Sequence, residues 1–214
     1  MTPVTTAQSP SVAALQSRFG DAIRRAHVSC GDTIVVVEGA RSHEILAWLQ
    51  TDPAQHYDYL VDVTAVEYRD RELPLEVVYQ LWSMEHKQFL RVKVELDKAA
   101  PLQVDSVVDL WEGANWLERE VWDMFGVKFA GHPDLRRILM WENYSEGFPL
   151  RKDFPLRGRF SRAEQTRRAL SDELEKHYSM EELSMEDAAP YLPADMRSKV
   201  AAHEARTGER GAKR

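Results

Sequence analysis

The 214-residue sequence predicts an α+β fold: an antiparallel sheet with covering helices, followed by an extended irregular C-terminal segment. Three observations carry this reading. Over residues 88–96, Leu90, Val92, Val94 and Leu96 alternate with Phe89, Arg91, Lys93 and Glu95, the period of two of a strand with one buried face. The connections at 68–74 and 84–87 are too short for a crossover, so the strands they join run antiparallel. Residues 131–160 are broken by Pro133, Pro149 and Pro155 and by Gly131, Gly147 and Gly158. That stretch nevertheless keeps Leu135, Ile138, Leu139, Trp141, Tyr144, Phe148, Leu150, Phe154 and Phe160.

In chain order, Ser9-Pro10 places a capping side chain before a proline at the first helical position. Val12, Leu15 and Phe19 then share a face, and Gly20 is a stop. Residues 22–28 and 33–38 read as a strand pair around Cys30-Gly31-Asp32, and only the second of them is clear. Ser42 is expected to cap a helix running to about Thr51, with Ile45, Leu46 and Leu49 facing inward. Residues 59–67 and 75–83 alternate weakly, which completes an antiparallel meander covered by helices. Asp105 is placed to cap a short helix ending near Gly113. Asn115, with Glu118 three residues on, has the capping-box arrangement for a second helix, whose apolar face is Leu117, Val121, Met124 and Phe125 and whose terminator is Gly126.

The organisation expected from this is a flexible N-terminus at 1–10, an α+β core at 11–130, an extended partner-docking segment at 131–160 and a partly disordered tail at 161–214, which has no bulky apolar residue after Val200. With 43% of residues in the hydrophobic set, the chain can build one full-sized core. A net charge of -7 and a pI near 5.6 argue against a nucleic-acid binder. Cys30 is the single cysteine and cannot supply the ligand sets of iron–sulfur clusters or structural zinc. The seven histidines form no H-x-x-x-H pair, and Ile34-Val35-Val36-Val37 is far short of a bilayer span. The start of the chain carries neither a secretory apolar stretch nor an Arg-rich presequence, so a soluble bacterial protein is expected.

Three motifs invite chemistry. Glu118, Glu120 and Asp123, with Arg119 among them, could serve acid–base work, but Glu120 and Asp123 share a helical face that Glu118 and Arg119 do not. A capped helix with a charged outer face is the plainer reading, and docking of a partner is the other. Gly131-His132-Pro133-Asp134-Leu135-Arg136-Arg137 sets a histidine two residues from an aspartate, with no G-x-S-x-G nucleophile elbow anywhere to complete a triad. A turn whose arginines reach carboxylates fits it better. In Phe148-Pro149-Leu150-Arg151-Lys152-Asp153-Phe154-Pro155-Leu156 the prolines stiffen a ribbon of alternating apolar and charged groups, suited to another protein's groove. Residues 131–160 hold six Lys/Arg and four Asp/Glu, a local net of +2. No glycine-rich phosphate loop is present.

The run Ala114-Asn115-Trp116-Leu117-Glu118-Arg119-Glu120-Val121-Trp122-Asp123-Met124-Phe125-Gly126, the later Phe129-x-Gly131-His132-Pro133-Asp134-Leu135-Arg136-Arg137-Ile138-Leu139, and Gly147-Phe148-Pro149-Leu150-Arg151-Lys152-Asp153-Phe154-Pro155 resemble, in order and spacing, the signature blocks of the 30 kDa subunit family of respiratory complex I. Tyr59-x-x-x-Asp62-x-Thr64-Ala65 also fits, and the resemblance spans about residues 10–157.

This resemblance implies a structural and assembly subunit in the peripheral arm of a proton-translocating NADH:quinone oxidoreductase, on the cytoplasmic side of the bacterial inner membrane. FMN, iron–sulfur clusters and quinone would belong to the whole complex and none to this chain. The 49 kDa quinone-site subunit and cluster-bearing neighbours would be its partners. Arg136, Arg137, Arg151 and Lys152 would pair with carboxylates, and Glu118, Glu120 and Asp123 with those arginines or a partner's. Two rivals stand beside it: the equivalent subunit of a membrane-bound hydrogenase or ferredoxin-fed quinone reductase, and a stand-alone enzyme using the 118–123 carboxylates with His132.

Overall fold

Helix α1 (Pro10–Phe19) starts at the proline and buries Val12, Leu15 and Phe19, as the spacing predicts. The computed structural model describes residues 10–142, 144–156 and 158–171, so the expected cap at Ser9 lies outside them. A hairpin follows, β1 (Ile23–Ser29) and β2 (Asp32–Val37), turned by Cys30 and Gly31. Both have positive φ, 54° and 92°, the conformation that a two-residue hairpin turn matching the strand twist requires. Helix α2 (Ser42–Thr51) buries Ile45, Leu46 and Leu49. Ser42 does not cap it as expected; its hydroxyl donates back to the Gly39 carbonyl instead, at 2.8 Å.

Strands β3 (Tyr59–Glu67), β4 (Leu75–Ser83) and β5 (Gln88–Leu96) form the expected antiparallel meander. The α+β class therefore holds, with one difference: the five-stranded sheet has the order β1-β2-β5-β4-β3, and its β2–β5 pair is parallel. Loop lengths constrain only strands that are consecutive in sequence. Between β2 and β5 lie a helix and two further strands, ample chain for a parallel return. The weak alternation of β3 has a cause as well: a bulge between Leu60 and Asp62 inserts Val61 and shifts the register.

The inward side chains of the sheet, among them Val35, Val37, Val77, Leu81, Leu90, Val92 and Val94, form one core with the apolar faces of the helices. The stretch 106–113 makes single turns rather than the expected short helix, because β6 (Gln103–Asp105) takes Asp105 into a small parallel pair with β7 (Lys128–Ala130). Between them runs α3 (Ala114–Phe125), which ends at Gly126 in the left-handed conformation, φ 74°, as predicted. A side chain at Gly126 would also overlap the ring of Phe148.

The chain divides into two compact units, 1–161 and 162–214. Residues 131–160 thus belong to the same unit as the core. The described part of the second unit is α4 (Arg162–Ser171), in which Arg167 pairs with Glu164 at 2.7 Å. The expected disorder beyond it lies outside the described residues.

Candidate functional site: the α3 carboxylates and the segment they anchor

Three of the seven buried residues of helix α3 are charged, and their partners explain how the helix tolerates that burial. Glu118 and Asp123 are fully buried and Arg119 nearly so, while Glu120 is exposed. A buried charge has to be compensated by hydrogen bonds or an opposite charge, and each of the three is.

Glu118 does not act in a capping box: no side-chain cap closes α3, whose N-cap is Gly113. It faces the 106–107 turn, accepting from the Ser106 hydroxyl and the Val107 N–H at 2.7 Å each. Burial raises its pKa from 4.5 to about 7, outweighing the lowering effect of those two donors. A cleft of about 540 Å³ opens beside this turn, lined by His43, Asp105, Ser106, Asp109 and Pro133, with His43 and Asp109 paired at 2.9 Å.

Asp123 is the hub. One carboxylate oxygen accepts three consecutive backbone N–H groups, from Ile138, Leu139 and Met140, at 3.1, 2.8 and 2.8 Å. The other oxygen pairs with the Arg137 guanidinium. That guanidinium lies 5.1–5.7 Å from the ring centroids of Trp122, Tyr144 and Phe148, a cationic group held among aromatic faces. Arg119 completes the anchor by donating to the carbonyls of Arg136 and Arg137, at 3.1 and 3.0 Å.

The rest of 131–160 is secured in the same way. His132 Nε2–H donates to the Asn115 carbonyl, and its Nδ1 accepts from the Asp134 N–H, which fixes the tautomer. Leu150 N–H donates to the Met124 carbonyl, Arg151 Nε to that of Phe125, and Lys152 N–H to Glu67, itself buried and paired with Lys98. Glu146, buried, accepts from the Arg159 and Phe160 N–H groups.

The described residues of the segment form neither helix nor ladder, as predicted, yet a ribbon expected to suit another protein's groove is also tied down on its own domain. Its amides are taken up by side-chain carboxylates, a mode of attachment that hydrophobic periodicity does not display. The expected ion pairs divide accordingly. Arg137 meets Asp123, but Arg136 pairs with Asp134 at 2.8 Å, and Arg151 stacks on Phe148 at 4.5 Å and binds a carbonyl. The side chains of Glu120, Lys152 and Asp153 face solvent.

Pro133, Leu135, Pro149 and Pro155 shape the path between these anchors, with Leu135 packed on the core. The structure does not bring His132 together with the carboxylates: among the described residues no hydrogen bond links it to Glu118 or Asp123. Sequence reasoning does not single out Glu67, Glu146 or Ser106; a buried acid carries no local signal that separates it from a solvated one.

What faces outward is different in kind. Leu139 is 59% exposed, Leu150 52%, and Leu156 wholly so, with Arg136, Lys152 and Arg159 exposed around them.

Fold and motif together define an α+β scaffold, built on a five-stranded sheet, whose most specific sequence block anchors a preformed, outward-facing segment. Residues 35–160 match the family described as the respiratory-chain NADH dehydrogenase, 30 Kd subunit. The C 2 subunit of the NADH-quinone oxidoreductase of Rhizobium etli is 44% identical over 146 residues, 68% of this chain and 76% of that one. The C subunit of the same enzyme from Hyphomonas neptunium is 41% identical over 156 residues, 73% and 76% of the two chains. The chain belongs to the 30 kDa subunit family of the respiratory-chain NADH dehydrogenase, and so to an NADH-quinone oxidoreductase complex; these relatives do not favour the hydrogenase or ferredoxin-fed alternative.

Among solved structures, a trypsin-resistant fragment (1–134) of Nqo5 matches 58% of this chain and 98% of its own at 30% identity, with a TM-score of 0.51. A chain of an archaeal membrane-bound sulfane sulfur reductase matches 76% and 90% at a TM-score of 0.55, and at 20% identity that likeness concerns the fold alone.

Proposed function

We propose that this chain is a structural and assembly subunit of the peripheral arm of a proton-translocating NADH:quinone oxidoreductase. It carries no redox centre itself and docks onto neighbouring subunits, chiefly the 49 kDa quinone-site subunit, through the outward side of residues 131–160. Electrons would pass from NADH through FMN and iron–sulfur clusters on other subunits to quinone. The single cysteine, exposed in a hairpin turn, fits that division, since cluster thiolates would have to come from elsewhere in the complex. No helix among the described residues is long and apolar enough to cross a membrane. Attachment at the cytoplasmic side of the inner membrane would then run through the other subunits.

The observation that carries this reading is the contrast within 131–160. A segment without regular structure is fixed by a buried carboxylate at its centre, yet it leaves Leu139, Leu150 and Leu156 exposed beside basic side chains. Preforming such a surface removes much of the ordering cost of association. The docking roles of Glu118, Arg119, Asp123, Gly126, His132 and Arg137 are therefore indirect, through the shape they impose. Pro149, Leu150, Arg151, Lys152, Asp153 and Pro155 would lie at or next to the contact.

The test is a tagged pull-down from gently solubilised membranes with Leu139, Leu150 and Leu156 all changed to serine. The variant chain should stay folded by circular dichroism but fail to retain the other subunits. Full retention of those subunits by the triple variant would refute docking through this surface.

A further inference from the structure

The face of the sheet opposite the helices carries a patch that docking through 131–160 does not use. Strand register sets Tyr59 beside Trp82 and Trp82 beside Phe89, while their neighbours Leu60, Leu81 and Leu90 point into the core. The three rings make a row across β3, β4 and β5 on the face away from the helices.

Over much of the rest of that face, charged side chains close over the apolar floor. Arg91 donates to Gln80 and Asp32, Lys93 pairs with Glu76 and Arg25 with Glu95. Ile34, Val36 and Val78 beneath them are buried. At the Tyr59 corner that cover thins to Arg91, whose guanidinium lies 5.9 Å from the Phe89 ring. Tyr59 is 52% exposed, Val61 44% and Met84 61%, with Trp82 and Phe89 half-buried among them. Val61 is the extra residue of the β3 bulge, a device that re-aims a side chain and ends pairing on an edge strand.

The rim of the patch is acidic. Asp58, Asp62 and Glu85, the last paired with His56, stand around it against Lys87 and Arg91, and the Asp62 carboxylate has no hydrogen-bond or ion-pair partner among the described residues. Contiguous exposed tyrosine, tryptophan and aliphatic groups are the composition of binding hot spots rather than of a permanently wet surface.

We propose that Tyr59, Val61, Trp82, Met84 and Phe89 form a second docking surface, which receives an apolar segment flanked by lysine or arginine on a different subunit from the one met by 131–160. The inference rests on the docking reading above. Its basis for two partners is charge and distance. Tyr59 begins β3, while Glu67, which holds Lys152 N–H, ends it, a separation of about 26 Å at strand rise. The rim at Tyr59 is net acidic, whereas the described exposed charges of 131–160 balance, Arg136, Lys152 and Arg159 against Asp134, Glu142 and Asp153. A segment flanked by lysine or arginine is therefore drawn to the first surface and not to the second. The chain would then be a bridge between two neighbours.

The experiment places a photo-cross-linking phenylalanine analogue at Tyr59, and separately at Leu150, in the membrane-bound complex, with cross-linked peptides identified by mass. Both positions should give products, with different chains, and the peptide captured at 59 should be apolar with net positive charge. Tyr59→Ser should lower retention of that chain about thirty-fold, the loss typical of an aromatic hot spot. Asp62→Lys should lower it further at low salt than at high salt. A product at Leu150 with none at 59 overturns the second surface and leaves the first. Capture at 59 of residues 172–214 of this same chain, of a second copy, or of an acidic peptide overturns it equally. Absence of products at both positions overturns both surfaces.

Discussion

Asp123 and Glu120 lie three residues apart on one helix and meet opposite fates, and this separates anchoring from solvation at the level of single side chains. Asp123→Ala removes the acceptor of three backbone amides and strands Arg137 among aromatic rings. Breaking a buried pair of this kind costs about 3–5 kcal/mol. Glu120→Ala touches nothing buried and should change stability by less than about 0.5 kcal/mol. Urea denaturation of the two variants beside the parent checks this; similar losses for both would remove Asp123 from its central place. Glu118 gives a pH signature. Its folded-state pKa lies near 7 against 4.5 in the free side chain, so the folded protein binds the extra proton between those values. Stability from this group is greatest below pH 4.5, falls as pH rises through the window and levels off above 7, a difference of about 3 kcal/mol. Glu118→Gln keeps an acceptor for Val107 N–H and does not ionise. Its stability relative to the parent should climb between pH 4.5 and 7 and then hold. A constant difference across that range would mean that Glu118 ionises as freely as in water.

At the scale of elements, legibility in the sequence follows periodicity. Helices α1 and α2, the β3–β5 meander and the Gly126 terminator all have local signals: an apolar stripe, an alternation, a glycine where φ is positive. The parallel β2–β5 pair has none, since pairing across a helix and two strands is decided by the packing of the whole sheet. The attachment of 131–160 is illegible for a related reason. Its prolines and glycines announce irregular backbone, but its bonds go to Asp123, Glu67 and Glu146, acids indistinguishable in sequence from solvated ones. The spacing of Glu118 from Asn115 points to a cap, and tertiary burial takes the side chain elsewhere. A consequence can be measured. In the free chain the amides of Ile138, Leu139, Met140, Leu150 and Lys152 should exchange slowly, as hydrogen-bonded groups inside a cooperative unit do. Amides of the same segment that donate to no protein group should exchange quickly. Uniformly fast exchange across 131–160 would show that the carboxylate anchors do not hold before assembly.

For the whole molecule, the question is where the folded unit ends, and protease accessibility answers it directly. The sequence patterning ends the expected core at 130, with the docking segment beyond it. The structure instead carries the first unit through Ser161, and the candidate site is legible as a family motif although its inward and outward sides are not. Trypsin needs an exposed and locally unfoldable bond. Arg137 is nearly buried and paired with Asp123, and Arg151 is bound at the end of α3, whereas Arg159, Arg162 and Arg167 are exposed. Limited digestion of the full chain should therefore first yield a fragment ending between Arg159 and Arg167, and cleavage at Arg136 or Arg137 should be slow. Asp123→Ala should reverse that order, because the amides of 138–140 and the Arg137 guanidinium lose their common acceptor and the segment opens with a lower free energy than the sheet. Intact-mass analysis of the time course distinguishes the two. If the parent is cut first at 136 or 137, the segment detaches from its own domain before the sheet unfolds. The preformed surface would then have to be formed on the partner.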